Sequence, residues 1–241
     1  LRFALTIFDL SFAYVASFFT YVVVVLAMAG MVLASLQAIF QTDARRVLAY
    51  SSIAQGGYML LGIGMATAAG MSAGYLHLLN HAIIKGGLFL AMGAFWYRFG
   101  ITRVEDFSGL AKTMPWTMGA FMVSGLSLIG VPFTAGFVSK VNLTIAAADK
   151  GWWWAVFVIV VTSVLAIIYI GRILLAAYFG DRPLIDGEPA EKNEAPMMML
   201  IPMWALALMS IAIGSNLFGL ADNFVFASER AADLLLLKVG G

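Results

Sequence analysis

The run SAGYLHLLNHAIIKGGLFLAMGAFW, Ser72 to Trp96, is apolar apart from Ser72, two histidines, an asparagine and a single lysine. As a helix its 25 residues measure about 38 Å, enough to cross the ~30 Å of a bilayer's hydrocarbon. Lys85 stands near the middle, with at least ten uncharged residues on each side. Placing an ammonium there costs about 2.5 to 3.5 kcal/mol, so a lysine at that depth needs a chemical reason.

The rest of the chain has the same character. Of 241 residues, 62% are hydrophobic and 11% charged, and the mean hydropathy is +0.95, far from soluble globular proteins. Charge is confined to islands: Leu10–Thr42, Gly86–Tyr97, Gly151–Gly171 and Ala195–Ala221 carry none. A backbone in lipid must satisfy its own hydrogen bonds, so these gaps predict helices. The net charge of +1 and the lack of a basic patch give no sign of nucleic acid as a partner. The chain has no cysteine, which removes iron–sulfur clusters and thiolate metal sites. It opens on Leu1 without a signal-peptide pattern, and the expected reading is a start in mid-protein.

The expected fold is all-α, a polytopic transmembrane helix bundle of about six crossings. They fall at 10–40, 48–67, 72–96, 115–148, 152–179 and 196–216, within residues 1–216, and an interfacial amphipathic tail follows over 217–241. The fourth segment would be roughly 50 Å long as one helix. The insert GVPFTAG, Gly130–Gly136, predicts a break there: Pro132 removes a backbone donor, and Gly130 and Gly136 loosen the helix on either side. Six crossings put Arg45, Arg46, Arg98, Arg103, Lys112, Arg182 and Lys192 on one side, against Arg2, Lys150, Arg230 and Lys238. Splitting the fourth segment in two also gives an asymmetric partition, so the positive-inside rule leaves the number open. The loop Asp181–Glu194 is polar and expected to be exposed and mobile, and Trp152, Trp153 and Trp154 form an interfacial aromatic belt.

His77, His81 and Lys85 recur every four residues, so a helix places them in one polar stripe. Desolvation penalises the charged form of a buried amine, which makes its proton easier to release, and such residues line ion and proton paths. The bland alternative is a snorkelling lysine with histidines that only join helices. Lys140, preceded by Ser139 in GFVSK, follows the predicted break closely, and polar groups beside broken helices mark ion sites in transporters. In Gln41–Tyr58, Asp43 with Arg45 and Arg46 forms a charged turn, and Ser51, Ser52 and Gln55 offer interhelical hydrogen bonds. Arg172 reads equally well as a snorkelling side chain or a functional one. A metal or haem on the two histidines lacks nearby carboxylate or thiolate ligands, so no cofactor is expected.

Three motifs in order carry a resemblance: QTDARRVLAYSSIAQGGY, HLLNHAIIKGGLFLAMG and MPWTMGAFMVSGLSLIGVPFTAGFVSK. They resemble the antiporter-like subunits shared by respiratory complex I and Mrp-type sodium/proton antiporters, and the match corresponds to the second of that fold's two inverted repeats. The resemblance implies a proton-translocating membrane subunit in which Lys85, Lys140 and His81, with His77, form a relay of buried ionisable groups. It implies as partners the other membrane subunits of a multi-subunit assembly in the cell membrane, with protons, and sodium in the antiporter branch, as the ions. The wording of the motifs, with Asn142 after Lys140, is most similar to the D-type subunit of Mrp antiporters; complex I or a membrane hydrogenase is the alternative branch. Two other readings remain, a structural scaffold and an electron-transfer subunit holding haem or quinone. The chain is expected to carry no catalytic chemistry of its own.

Overall fold

The computed structural model describes residues 13–181, 184–185, 188–189 and 192–239, with side chains over 20–181, 192–217 and 219–232. Nine α-helices occur among the described residues. They are α1 (Ala13–Phe40), α2 (Ala44–Gly64), α3 (Ala68–Phe99), the single turn α4 (Leu110–Thr113), α5 (Pro115–Ile129), α6 (Ala135–Asp149), α7 (Trp153–Phe179), α8 (Met197–Gly214) and α9 (Leu220–Val239). A two-residue ladder pairs β1 (Leu184–Ile185) with β2 (Glu188–Pro189) between α7 and α8. The rest of that loop's expected mobility, like the readings at Arg182 and before Ala13, lies outside the described residues.

Among the described residues four helices are long and apolar enough to cross a membrane: α1 from Thr20, α3, α7 and α8. Of these α3 is the least apolar, and half of its most apolar window is buried, against a third or less for the others. The polar stripe explains both facts. A helix carrying lysine and two histidines is stable at membrane depth only when other helices cover that side, and α3 is packed by α2, α5, α6, α8 and α9.

Local chemistry fixes the helix ends. The Asp43 carboxylate accepts from Arg45 N (2.8 Å) to cap α2, and Thr67 Oγ1 accepts from Gly70 N (3.1 Å) to cap α3. Pro115 opens α5, and Glu194 accepts from the amides of Trp116 (2.6 Å) and Thr117 (3.3 Å). A carboxylate placed there satisfies orphan donors and meets the positive end of the helix dipole.

The turn after α1 and the turn after α3 are stitched together by Ala44 N to Thr102 O and Val104 N to Thr42 O, both 2.8 Å. The end of α7 joins them, because Gly109 N donates to Ala176 O (3.0 Å) and Lys112 Nζ to Gly180 O (3.0 Å). Arg45, Arg46, Arg98, Arg103 and Lys112 therefore share one end of the bundle. At the other end Lys150, just past α6, donates to Met65 O in the turn between α2 and α3. Since α5 begins beside Glu194 at the arginine end, the α5–α6 pair runs once through the bundle as a broken helix.

The break is as expected at Gly130 and differs at Gly136. Gly130 adopts φ +94 and closes α5, a conformation that a side chain resists. Gly136 lies inside α6 instead of loosening it. It is glycine for space, since a Cβ there would stand 1.8 Å from Ser127 O. The tail α9 packs on α3, where Ser228 and Ser72 share a buried hydrogen bond of 2.8 Å.

Candidate functional site

Both predicted lysines are buried, each only 6% exposed. Lys85, midway along α3, turns its ammonium toward the first turns of α2, donating to Ser51 Oγ (2.5 Å) and Leu48 O (2.6 Å). Ser51 also donates to Leu48 O (2.9 Å), so hydroxyl and carbonyl form one small acceptor cluster. Ser52, expected to join helices, bonds back to Leu48 O within α2 (3.1 Å), the usual alternative for a serine inside a helix.

Lys140 is held by the break. Its Nζ donates to Leu128 O (3.0 Å) and Ile129 O (2.8 Å), the last carbonyls of α5, and to Ser163 Oγ of α7 (3.2 Å). These carbonyls lack partners along the helix and sit at its negative end, so a cation is the natural cap. Gly130 leaves room for it: a Cβ there would come within 2.9 Å of Lys140 Cδ.

His77 joins three helices. One ring nitrogen meets Gln55 Oε1 of α2 (2.9 Å) and the other Ser139 Oγ of α6 (2.9 Å). Its ring centroid lies 6.3 Å from that of His81, nearly parallel at 20°. His81 is in electrostatic reach of Lys85, and His77 of Lys140. His81 Nδ1 is buried without a hydrogen-bond partner among the described residues. Lys85, His81 and His77 thus follow one another along α3, with His81 partly covered, and Lys140 lies on α6, which packs against α3.

Tyr58, Thr162 and Ser163 have no role that the sequence announces. Tyr58 is fully buried; its ring lies 5.1 Å from Lys140 Nζ and 5.2 Å from the His77 ring. Its hydroxyl sits among Thr162 Oγ1 (2.6 Å), Ile159 O (3.2 Å) and Ser163 Oγ (3.4 Å). The position of Tyr58 in a conspicuous polar motif was the available signal. Asn80, whose role the sequence does not announce either, donates to Ala135 O at the start of α6 (2.8 Å).

Three of the expected supporting residues lie elsewhere. Asp43 and Arg45 form the expected ion pair at 2.8 Å on the exposed end, and the Arg45 hydrogen bond holds the Asp43 carboxyl below the usual carboxylate range. Arg46 is exposed at that same end. Arg172 donates to Ile39 O and Gln41 O, so it clamps the C-terminal end of α1 instead of joining the lysines.

Residues 2–166 match the NADH:quinone oxidoreductase/Mrp antiporter transmembrane family. The N-type subunit of the NADH-quinone oxidoreductase of Desulforudis audaxviator is 40% identical over 198 residues, 78% of this chain and 40% of that protein. The D-type subunit of the Na(+)/H(+) antiporter of Alkalihalophilus pseudofirmus is 30% identical over 202 residues, 84% of this chain and 41% of that protein. Among solved structures, a chain of the Mrp complex from Dietzia sp. superposes with a TM-score of 0.83 at 30% identity, covering 91% of this chain and 48% of that one. A chain of the archaeal membrane-bound sulfane sulfur reductase gives 0.75 at 35% identity, covering 81% and 32%. The chain spans about two-fifths of the length of the curated relatives it matches. Relatives of both branches are present, so the leaning toward the Mrp branch is not favoured over complex I. The chain is an integral multi-pass membrane protein and belongs to the NADH:quinone oxidoreductase/Mrp antiporter family of antiporter-like membrane subunits.

Proposed function

We propose that this chain carries one proton-translocating half of an antiporter-like membrane subunit, with Lys85, His81, His77 and Lys140 as the relay. The observation that supports it most is the burial of two amines, each 6% exposed, on packed helices, one of which also carries the neighbouring rings of His77 and His81. Each amine rests on neutral oxygens, with no carboxylate among its hydrogen-bond partners in the described residues. Neutral acceptors let an ammonium form without fixing it in an ion pair, so the proton can leave. Two ammonium groups in a poor dielectric repel, which favours charge on one at a time. His81, whose Nδ1 has no hydrogen-bond partner among the described residues, is the group that carries the proton between them.

Within the family we propose a multi-subunit cation/proton antiporter of the Mrp type, and the higher fold likeness to a chain of an Mrp complex, TM-score 0.83 at 30% identity, supports it. The higher identity to an N-type subunit supports the second reading, a subunit of a quinone-reducing complex. The test is proton flux through the complete assembly reconstituted in vesicles. Lys85→Ala should abolish it while the assembly stays intact; unchanged flux would reject the relay, and loss of the assembly would favour a scaffold. Flux that requires sodium on the opposite side identifies the antiporter branch, and flux that requires electron transfer to quinone identifies the other.

A further inference from the structure

Tyr58 stands outside the relay, yet its ring lies near both Lys140 and His77. It is 1% exposed and belongs to α2, whereas Lys140 belongs to α6 and the groups around its hydroxyl to α7. Three hydrogen-bonding atoms spread over one turn of α7 hold the phenol at its far end, which fixes where the ring can be. Ser163 is shared, since Lys140 donates to the same oxygen that lies beside the Tyr58 hydroxyl. An aromatic face carries a negative quadrupole and attracts a cation most strongly where water is absent.

We propose that Tyr58 is a positioning residue of the relay, one whose ring steadies the positive charge as it passes between His77 and Lys140. This rests on the reading of the chain as a proton relay. The ammonium of Lys140 has three oxygen acceptors on the side of the break and Ser163. Its approach toward His77 is lined by the Tyr58 ring. A cation leaving the carbonyls of Leu128 and Ile129 therefore stays in contact with a polarisable face. A leucine there would offer the same space without the charge distribution.

Shape and ring charge separate in a series of phenylalanines at position 58 bearing zero, one, two and three ring fluorines. The series keeps the ring's outline and withdraws charge from its face. Proton flux should fall stepwise through it, by roughly tenfold from Phe to the trifluoro form. Assembly and the thermal midpoint should stay constant. A flat series would overturn the proposal, because a packing role does not depend on ring charge. Lys140→Met in the same vesicles tells the two failures apart. If it stops flux and the series is flat, the relay stands and Tyr58 only packs; if it leaves flux intact, the relay fails and the role of Tyr58 falls with it.

Discussion

Gly136 lies so close to Ser127 that any Cβ on it would overlap the serine's carbonyl oxygen. The contact presses the second half of the broken helix onto the end of the first, with Gly136 N donating to Ser127 Oγ at 3.2 Å and Ser210 donating to that hydroxyl at 2.8 Å. Lys140 stands one turn further along, at the distance that brings its ammonium back to Leu128 and Ile129. Gly136→Ala should force the halves apart at a cost of about 3 kcal/mol. A thermal melt of the purified assembly measures it, and an unchanged midpoint would mean the junction can relax without loss.

Ser51 offers a milder probe of Lys85 than removal of the amine. Ser51→Ala leaves the ammonium with Leu48 O and takes away its shortest partner. A hydrogen bond to a charged group is worth about 1.5 to 3 kcal/mol. Proton flux should then drop roughly tenfold or more, less than for Lys85→Ala. Equal flux in Ser51→Ala and wild type would show that the serine is not needed to hold the charge.

His77 predicts a coupled effect on stability. His77→Leu leaves Gln55 and Ser139 facing a buried apolar side chain, with about 1 to 3 kcal/mol at stake for a stranded polar group. Ser139 keeps an alternative in the carbonyls of Ala135 and Gly136, so Gln55 dominates the loss. His77→Leu combined with Gln55→Leu should therefore cost less than the two single changes added together. Strict additivity in denaturation of the assembly would count against this three-helix joint.

The parts legible in the sequence are those that one helix writes by itself. The four-residue spacing of His77, His81 and Lys85 and the proline flanked by glycine at the break are local patterns, and local geometry decides them. The polar motif marks Tyr58 as a candidate but leaves its role illegible, because its partners lie on α7, 104 residues from Tyr58 to Thr162 in sequence. The same holds for Arg172, whose acceptors Ile39 and Gln41 end a distant helix, and for Glu194, which reads as one more charge in a polar loop until it caps α5. Ser52 runs the other way: its place in the polar motif suggests a bond to a neighbouring helix, and the hydroxyl is satisfied within its own.

Asp43 carries the prediction that depends on pH. Its carboxyl caps α2 and pairs with Arg45, whose side chain is 55% exposed, so solvent screens the pair and the cap supplies most of the effect. Asp43→Ala should cost about 1 kcal/mol near neutral pH. The Arg45 hydrogen bond lowers the carboxyl's folded value below its unfolded one. The stability it contributes is therefore complete above the unfolded value of about 4 and is lost as pH falls through the lower, folded value. Melting curves of the variant and the wild type should differ at pH 7 and converge in acid. A gap that stays constant into strong acid would mean that Asp43 acts by shape and not by its charge.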